Sequence, residues 1–319
     1  MAVYTDVTDE ALAQFLTRYE IGRLVAFQGI AEGVENSNYA LKTTQGDFIL
    51  TLYEKRVSRE DLPYFLGLMT YLRWQGLPCP LPIPARDSTI LQELAGRAAA
   101  ITSFLPGVWP RHVLPHHCEQ LGASLAGLHL AGQGFGKTRV NRLGPDSWGE
   151  LLAACLPQAD RVLPGMAADL QNWLPQILAA WPQGLPQGQI HADLFPDNVF
   201  FLDGQISGLI DFYFACTDSL AYDIAICLNS WCFTGQADFN PEAAQALLRG
   251  YQAVRPLSAA EHEALPVLAR GAALRFLLTR LYDWLHVRPS TLVTPKDPLE
   301  YYERLRFHIK VSGVHAYGV

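Results

Sequence analysis

The sequence is poor in charged residues and has no excess of positive charge. Only 17% of its 319 residues are charged, whereas 50% are hydrophobic, and basic residues number 24 against 31 acidic ones. This composition excludes an intrinsically disordered chain, because enough apolar surface can be buried to offset the entropy lost on folding. The net charge of −7 disfavours a nucleic-acid partner or an anionic membrane surface. No feature indicates an obligate protein partner.

Long apolar runs and paired cysteines are also missing. No stretch reaches the ~18 uncharged residues of a membrane-spanning helix, because arginines at 270, 275 and 280 interrupt the most hydrophobic late segment. The first ten residues, MAVYTDVTDE, have acids where a secretory signal has basic residues and an apolar run. The six cysteines contain no C-x-x-C pair, which excludes a zinc ribbon or a thioredoxin-like motif. We therefore expect free thiols, a cytoplasmic location and no membrane contact.

The first third of the chain predicts a β-rich region with one helix. Residues 37–44 (SNYALKTT) and 48–55 (FILTLYEK) are rich in strand formers and are separated by a short QGD segment, which predicts an antiparallel hairpin. A helix is expected next. Ser58 and Asp61 form a capping signal, and apolar residues then recur at helical spacing until Gly76.

A proline-rich connector over 77–84 and two further strands, around 90–94 and 98–104, complete this region. The Leu-Pro-Gly break that follows marks the boundary between two lobes. Beyond it, helical periodicity predicts helices over 117–130, 166–181, 241–251 and 259–286. We therefore predict an α+β protein with a small antiparallel β lobe, residues 1–104, and a larger, mainly helical lobe, residues 105–319.

Three short motifs that point to other chemistries are incomplete. Residues 131–138 (AGQGFGKT) approach a phosphate-binding P-loop, but alanine replaces its first glycine and the preceding leucines are spaced for a helix. His112, His116 and His117 have no nearby carboxylate to complete a metal site. The segment GAS at 122–124 lacks the second glycine of a nucleophile elbow. We expect a helix end with a loop, a solvated loop and a plain helix, respectively.

The most informative segment lies between residues 188 and 223. His191, Asp193 and Asn198 form the pattern H-x-D-x-x-x-x-N, and Asp211 opens an Asp-Phe pair 13 residues after the asparagine. This spacing joins an aspartate on a loop to two potential metal ligands further along the chain.

A hairpin explains why that spacing matters. Strands at 198–202 and 205–211 flank a central Asp-Gly pair, which is typical of a two-residue turn. In that register Asn198 and Asp211 share a face and lie diagonally opposite, about 7–8 Å apart or less. Both side chains can therefore reach one metal cluster, with Asp193 on the loop that leads into the hairpin.

This arrangement is typical of phosphoryl transfer. An amide and a carboxylate can hold Mg²⁺ on the nucleotide phosphates, while another aspartate orients and deprotonates the attacking hydroxyl. The simpler interpretation, scattered polar residues in a turn, has to account for four residue types at the required spacing on one predicted hairpin.

The segment HADLFPDN at 191–198, followed by LIDF at 209–212, resembles the catalytic signature of the aminoglycoside phosphotransferase and choline kinase group, small-molecule relatives of protein kinases. Nearly the whole chain resembles the kinase-like bacterial homoserine kinases within that group. The further segments that carry this resemblance are 29–39 (GIAEGVENSNY), the strand at 48–55, the proline-rich connector, LPG at 105–107, 275–284 (RFLLTRLYDW) and 305–308 (LRFH).

The resemblance implies a protein-kinase-like two-lobed fold that uses ATP and Mg²⁺. The nucleotide-binding residues that it implies are Gly29, Gly33, Asn36, Ser37, Asn38, Lys42, Ser103 and Leu105. One position departs from the pattern, because Thr51 stands where related kinases often have a phosphate-gripping Lys or Arg. Another cation must then hold the α- and β-phosphates, and Lys42, Lys55 and Arg56 are the candidates.

The reaction implied by the resemblance is phosphoryl transfer to L-homoserine. Asp193 is the expected base, Asn198 and Asp211 the Mg²⁺ ligands and His191 a neighbour that holds the loop. An amino-acid acceptor requires a pocket with both signs of charge, and the residues predicted to line it are Asn229, Trp231, Arg275, Arg280 and Asp283.

Three alternatives stay open at the level of sequence. The same fold can accept choline, an aminoglycoside or methylthioribose, or the chain can be a non-catalytic pseudokinase that acts as a binding module. The arginines of the predicted pocket can also form ion pairs within the helical lobe instead of facing a substrate.

Overall fold

The computed structural model of the protein describes residues 4–30, 36–54, 57–286 and 295–318. The chain divides into two compact units. One comprises Met1–Val108 with Phe200–Tyr213, and the other comprises Trp109–Val199 with Phe214–Val319. The expected division into domains at residue 104 stays a prediction.

The helices of the described residues are α1 Asp9–Leu16, α2 Leu62–Trp74, α3 Pro115–Gly132, α4 Pro145–Val162, α5 Met166–Ala179, α6 Leu220–Trp231, α7 Pro241–Val254, α8 Ala259–Leu285 and α9 Pro298–Lys310. The strands in the same ranges are β1 Leu24–Gly29, β2 Ser37–Thr43, β3 Gly46–Tyr53, β4 Gln92–Leu94, β5 Arg97–Ser103, β6 Gln187–Ile190, β7 Val199–Leu202, β8 Gln205–Leu209, β9 Cys216–Ser219, β10 Phe233–Thr234 and β11 Asp238–Phe239.

The first unit contains a five-stranded sheet in the order β1-β2-β3-β5-β4, with antiparallel neighbours. The hairpin predicted from residues 37–55 is β2–β3, in which Leu41 pairs with Phe48. Alternate residues of these strands face a core shared with α1, where Leu12 and Leu50 have no exposed surface. Apolar burial on one face therefore fixes the register of the sheet. Neither α1 nor β1 was expected.

The helix predicted after Ser58 begins later than its capping signal indicates. It is α2, which starts at Leu62 with Asp61 as its N-cap, and the Asp61 side chain makes no capping hydrogen bond. The backbone of Asp61 instead donates to the carbonyl of Ser58 in a turn. The expected start is wrong because Pro63, which has no N–H to donate, fits the first turn of a helix and sets where this one begins.

The β7–β8 hairpin lies in the expected place. Asp203 and Gly204 have φ values of 51° and 77°, which is the conformation of a type I′ turn. The strands are shorter than predicted, because Asn198 ends a 3-10 turn before β7 and Asp211 follows the end of β8. The predicted distance between these two side chains stays a prediction.

The second unit is mainly helical. The four predicted helices correspond to α3, α5, α7 and α8, whereas α4, α6 and α9 were not expected. Helix α3 ends at Gly132, so the segment that approaches a P-loop, residues 131–138, is a helix end followed by a loop, as expected. No helix within the described residues is long and apolar enough to cross a membrane.

Helices α3 and α7 approach each other closely through glycines. A Cβ built on Gly122 would lie 2.1 Å from the carbonyl oxygen of Leu247, and one on Gly250 would lie 2.0 Å from that of Glu119. Both obstacles are backbone atoms, which a side-chain rotation cannot remove. The two helices can therefore reach this separation only with glycine at both positions.

We expect Gly122→Ala to lower the free energy of unfolding by about 1–3 kcal/mol, because the added methyl forces α3 and α7 apart. Thermal or urea unfolding measures the change. Gly127→Ala in the same helix is the matched control, because nothing lies within 4 Å of its Cβ position and alanine favours the helix. An equal effect of the two substitutions would contradict the close approach.

Candidate active site

The loop from His191 to Asn198 connects β6 to β7. Strand β6 is fixed by antiparallel pairing with β9, in which Ile190 lies opposite Cys216. The loop then turns sharply at Ala192, whose φ of 62° is unusual for an alanine. Such a conformation persists only where surrounding contacts hold it.

The carboxylate of Asp223, in the first turn of α6, provides the first of these contacts. Its two oxygens accept hydrogen bonds from the backbone N–H groups of His191, at 2.7 Å, and Ala192, at 2.9 Å. His129 Nε2 lies 3.2 Å from the same carboxylate, and its Nδ1 lies 2.7 Å from the hydroxyl of Tyr251. Burial alone would raise the pKa of Asp223, but the bonds from His129 and His191 outweigh it and lower that pKa.

The carbonyl groups of the loop also accept side-chain hydrogen bonds. Arg275 of α8 donates to the carbonyl of Ala192, and Trp231 Nε1 donates to that of Leu194 at 2.9 Å. The Nδ2 of Asn198 donates to the carbonyl of Asp193 at 2.8 Å. Three successive carbonyls are thus held by side chains from α6, α8 and the loop itself.

The side chain of Asp193 is half-buried at the centre of this loop. Burial raises its pKa, interactions with Arg275, His191 and Lys296 oppose that rise, and the negative charge of Asp197 adds to it. The Nδ1 of His191 accepts a hydrogen bond from the backbone N–H of Asp193 at 3.3 Å. His191, Asp193 and Asn198 are therefore brought together, with the carboxyl group of Asp193 suited to exchange a proton.

The two predicted metal ligands are placed at the ends of the β7–β8 hairpin. Because Nδ2 of Asn198 is engaged with Asp193, its Oδ1 is the atom available to a metal. Asp211 belongs to the first unit and has a φ of 65°. An amide oxygen and a carboxylate suit Mg²⁺, which takes few protein ligands and keeps phosphate or water oxygens. Within the described ranges, no group of three or more His, Cys, Asp or Glu residues could hold a metal ion.

Three adjacent residues that are predicted to bind the nucleotide, at positions 36–38, have polar partners in the first unit. Ser37 is fully buried, accepts from the backbone of Tyr4 and donates to Glu54 at 2.8 Å. Asn36 accepts from the backbone N–H of Glu54 at 3.3 Å. Asn38 accepts from Thr51 at 2.8 Å. Asn36 and Ser37 thus fix the start of β2. Asn38 is hydrogen-bonded to Thr51, the β3 residue that stands where related kinases often have a lysine.

The remaining predicted nucleotide-binding residues are scattered along the first unit. Gly29 ends β1 opposite Tyr39, and Lys42 is exposed near the far end of β2. Ser103 accepts from the backbone of Leu81 at 2.9 Å, and Leu105 follows β5. Gly33, Lys55 and Arg56 lie outside the described residues.

Thr51 belongs to a hydroxyl cluster that sequence reasoning did not foresee. The hydroxyls of Tyr53 and Tyr213 lie 3.0 Å apart, and Tyr213 also bonds to Thr51. Burial, together with the charge of Asp211, raises the pKa of Tyr213 to about 12, although its hydrogen bonds act in the opposite direction. The Asp-Phe-Tyr order at 211–213 carried no recognisable signal for this contact.

Four of the residues predicted to bind an acceptor have different partners within the protein. Arg280 pairs with Glu300 at 2.5 Å, and Asn229 is fully buried and donates to the carbonyls of Ala225 and Ala269. Trp231 and Arg275 hold the loop, as described above. Asp283 is half-buried near the end of α8. Arg280 therefore forms an ion pair within the helical unit, which is the alternative that the sequence left open. A substrate role for the five predicted residues stays a prediction.

The chain is similar to known proteins in both sequence and fold. A family model described as "Phosphotransferase enzyme family" matches residues 26–257. The chain is 65% identical to a homoserine kinase of Acidiphilium cryptum, over 100% of both chains. In structure it is similar to amicoumacin kinase hAmiN, with a TM-score of 0.69 at 16% identity over 97% and 95% of the two chains. It is equally similar to choline kinase of Cryptosporidium parvum, with a TM-score of 0.69 at 14% identity over 95% of each. The predicted kinase-like fold is confirmed.

We expect Asp223→Asn to lower the free energy of unfolding by about 2–4 kcal/mol, because an amide cannot accept from two backbone N–H groups and His129 together. Amide hydrogen exchange at His191 and Ala192 should quicken in parallel. Asp218→Asn is the control, because it makes the same change at a carboxylate that accepts from Asn141 and from the backbone of Ser219 and not from the loop; it should leave the exchange at His191 and Ala192 unchanged. Unchanged exchange in Asp223→Asn would contradict the assigned role.

Proposed function

The chain belongs to the phosphotransferase enzyme family, and from that premise we propose that it transfers the γ-phosphate of ATP to the hydroxyl of L-homoserine. The product is O-phospho-L-homoserine, in a step towards threonine. The similarity to a homoserine kinase over the full length of both chains carries the proposal. A cytoplasmic location remains part of the proposal, supported by six free cysteines.

Asp193 is the residue that acts on the acceptor. Its carboxylate accepts a hydrogen bond from the attacking hydroxyl, orients it and takes its proton as the bond to phosphorus forms. The contacts that hold the loop support this role, because they engage its backbone and leave the carboxylate for the acceptor. His191 keeps the loop in place through its bond to the backbone of Asp193 and touches no reacting atom.

Asn198 and Asp211 are the proposed ligands of Mg²⁺. The metal, when bound, neutralises charge on the phosphate oxygens. The orientation of the Asn198 amide supports its share of the site, since its Nδ2 is engaged with the loop. The contribution of Asp211 is supported by its place directly after β8, the partner strand of β7.

For the nucleotide, we propose contacts from Gly29, Gly33, Asn38, Lys42, Ser103 and Leu105, with Asn36 and Ser37 fixing the start of β2. Lys42 is exposed, and Thr51 carries no charge, so the cation that holds the α- and β-phosphates is sought among Lys42, Lys55 and Arg56. The hydroxyl cluster around Thr51 supports a search for the cation elsewhere. Thr51 stands at the position of the usual lysine, and its hydrogen-bond partners are neutral side chains.

The acceptor is tested by ADP release in a panel of L-homoserine, L-serine, L-threonine, choline, methylthioribose and kanamycin with Mg-ATP. We expect L-homoserine to have the highest kcat/KM, because relatives that match the full length of the chain act on it. Preference for choline or kanamycin would move the assignment to another acceptor. No turnover of any acceptor, with intact nucleotide binding, would favour the pseudokinase alternative.

Two substitutions separate the roles of the aspartates. Asp193→Asn should lower kcat by roughly 10²-fold or more while ATP affinity stays nearly unchanged, because the lost group acts on the acceptor. Asp211→Asn should abolish turnover and weaken Mg-dependent nucleotide binding, because an amide is a poorer ligand than a carboxylate. Steady-state kinetics and nucleotide titration at several Mg²⁺ concentrations measure both effects.

The reverse pattern would contradict the assignment. If ATP affinity fell as steeply as kcat in Asp193→Asn, that residue would belong to the metal site. Near-normal kcat with an unchanged Mg²⁺ requirement in Asp211→Asn would remove Asp211 from it.

A further inference from the structure

The loop from His191 to Asn198, here called the reactive loop, carries Asp193. An amino-acid acceptor brings its own carboxylate close to this loop, and a cation is needed to bind that carboxylate. This inference rests on the proposed function. The basic side chains that interact electrostatically with the carboxyl of Asp193 are those of Arg275, His191 and Lys296. These three side chains are therefore the candidates to receive the carboxylate of the acceptor.

Arg275 is committed to the protein. Its side chain is 2% exposed, it donates to the carbonyl of Ala192, and its guanidinium lies 4.2 Å from the ring centroid of Phe276. Its Nε is fully enclosed. His191 is also buried, with Nδ1 engaged by the backbone of Asp193. Neither group has a surface on which a soluble amino acid could bind.

Two further arginines, Arg280 of α8 and Arg304 of α9, are committed to contacts within the protein as well. Arg280 and Arg304 both pair with the carboxylate of Glu300. Arg304 also donates to the carbonyl of Asn229 at 2.7 Å. Both arginines are also buried, so neither presents a surface on which a soluble amino acid could bind.

Lys296 differs from these residues both in its exposure to solvent and in its partners. It is exposed, and no described residue forms an ion pair with it. Its Nζ lies 5.2 Å from the ring centroid of Phe195, a residue of the reactive loop. The ring is itself fixed, because it packs edge-on against Phe276 with centroids 4.9 Å apart.

The backbone beside Lys296 is also held. Asp297 caps α9 by accepting from the N–H of Leu299 at 2.8 Å, and Arg280 donates to the carbonyl of Asp297 at 3.3 Å. The lysine therefore projects from an anchored helix start towards a loop residue two positions after Asp193, with its ammonium charge available to a ligand.

We propose that Lys296 binds the α-carboxylate of the amino-acid acceptor and thereby selects amino-acid alcohols over amino alcohols that lack this group. Arg275 and Arg280, which the sequence predicted for this role, act as positioning residues: the first holds Ala192 and the second holds the start of α9. An ammonium over an aromatic ring is well placed to receive one carboxylate oxygen without burying an unpaired charge.

The test compares L-homoserine with 3-aminopropan-1-ol, which is homoserine without its carboxylate. In Lys296→Met, we expect the ratio of kcat/KM for L-homoserine to that for 3-aminopropan-1-ol to fall by about tenfold or more. The loss should appear mainly as a higher KM for homoserine, with the KM for ATP unchanged. Lys296→Arg should restore most of the ratio, because a guanidinium also binds carboxylates.

A second readout needs no turnover of the weaker acceptor. L-2-Aminobutyrate has the ammonium and the carboxylate of homoserine but lacks its hydroxyl, so it can occupy the site without reacting. Its inhibition constant should rise about tenfold or more in Lys296→Met. Lys310→Met, an exposed lysine at the other end of α9, is the matched control and should leave both quantities unchanged.

The possible failures are distinguishable. If the wild-type protein does not phosphorylate homoserine, the proposed function is wrong. If it does, but Lys296→Met leaves the acceptor ratio and the inhibition constant unchanged, the assignment of Lys296 is overturned. A rise in the KM for ATP, or an equal loss with both acceptors, would overturn it too, since the lysine would then act on the phosphates.

Discussion

The carboxylate of Asp223 is the group on which the reactive loop depends. By accepting from the backbone of both His191 and Ala192, it stabilises a left-handed turn that an alanine rarely adopts. A buried charge persists only with compensating donors, and His129, itself bonded to Tyr251, completes the set. The conformation that presents Asp193 is thus fixed by a buried ion and its hydrogen bonds.

Two side chains of helix α8 support this hydrogen-bond network. Near its start, Glu261 accepts from Ser258 in a capping box and pairs with Arg255, which donates to the hydroxyl of Tyr251 at 3.1 Å. Further along the helix, Arg275 donates a hydrogen bond to the carbonyl of Ala192 in the loop. A single helix therefore supports both the carboxylate that holds the loop and a carbonyl of that loop. Such pre-organisation limits the rearrangement required during phosphoryl transfer.

Local sequence patterns predicted the structural features that depend on neighbouring residues, such as turns and amphipathic helices. The β7–β8 turn followed from an Asp-Gly pair, whereas the catalytic role that the H-x-D-x-x-x-x-N spacing assigns to the loop stays a prediction. Helix α6 escaped prediction because all its residues are buried, which removes the amphipathic period on which such predictions rest. The partners of charged residues could not be foreseen either: only tertiary packing brings Glu300 to Arg280, or leaves Lys296 without an ion pair to the described residues.

The central claim is that the held loop presents the carboxylate of Asp193 to the hydroxyl of L-homoserine. A crystal structure of the protein with homoserine, Mg²⁺ and a non-hydrolysable ATP analogue tests it most directly. We expect the acceptor hydroxyl at hydrogen-bond distance from that carboxylate, about 2.6–3.2 Å, with the bonds from Asp223 to the loop intact. A hydroxyl remote from Asp193, or Asp193 bound to the metal in place of the acceptor, would contradict the claim.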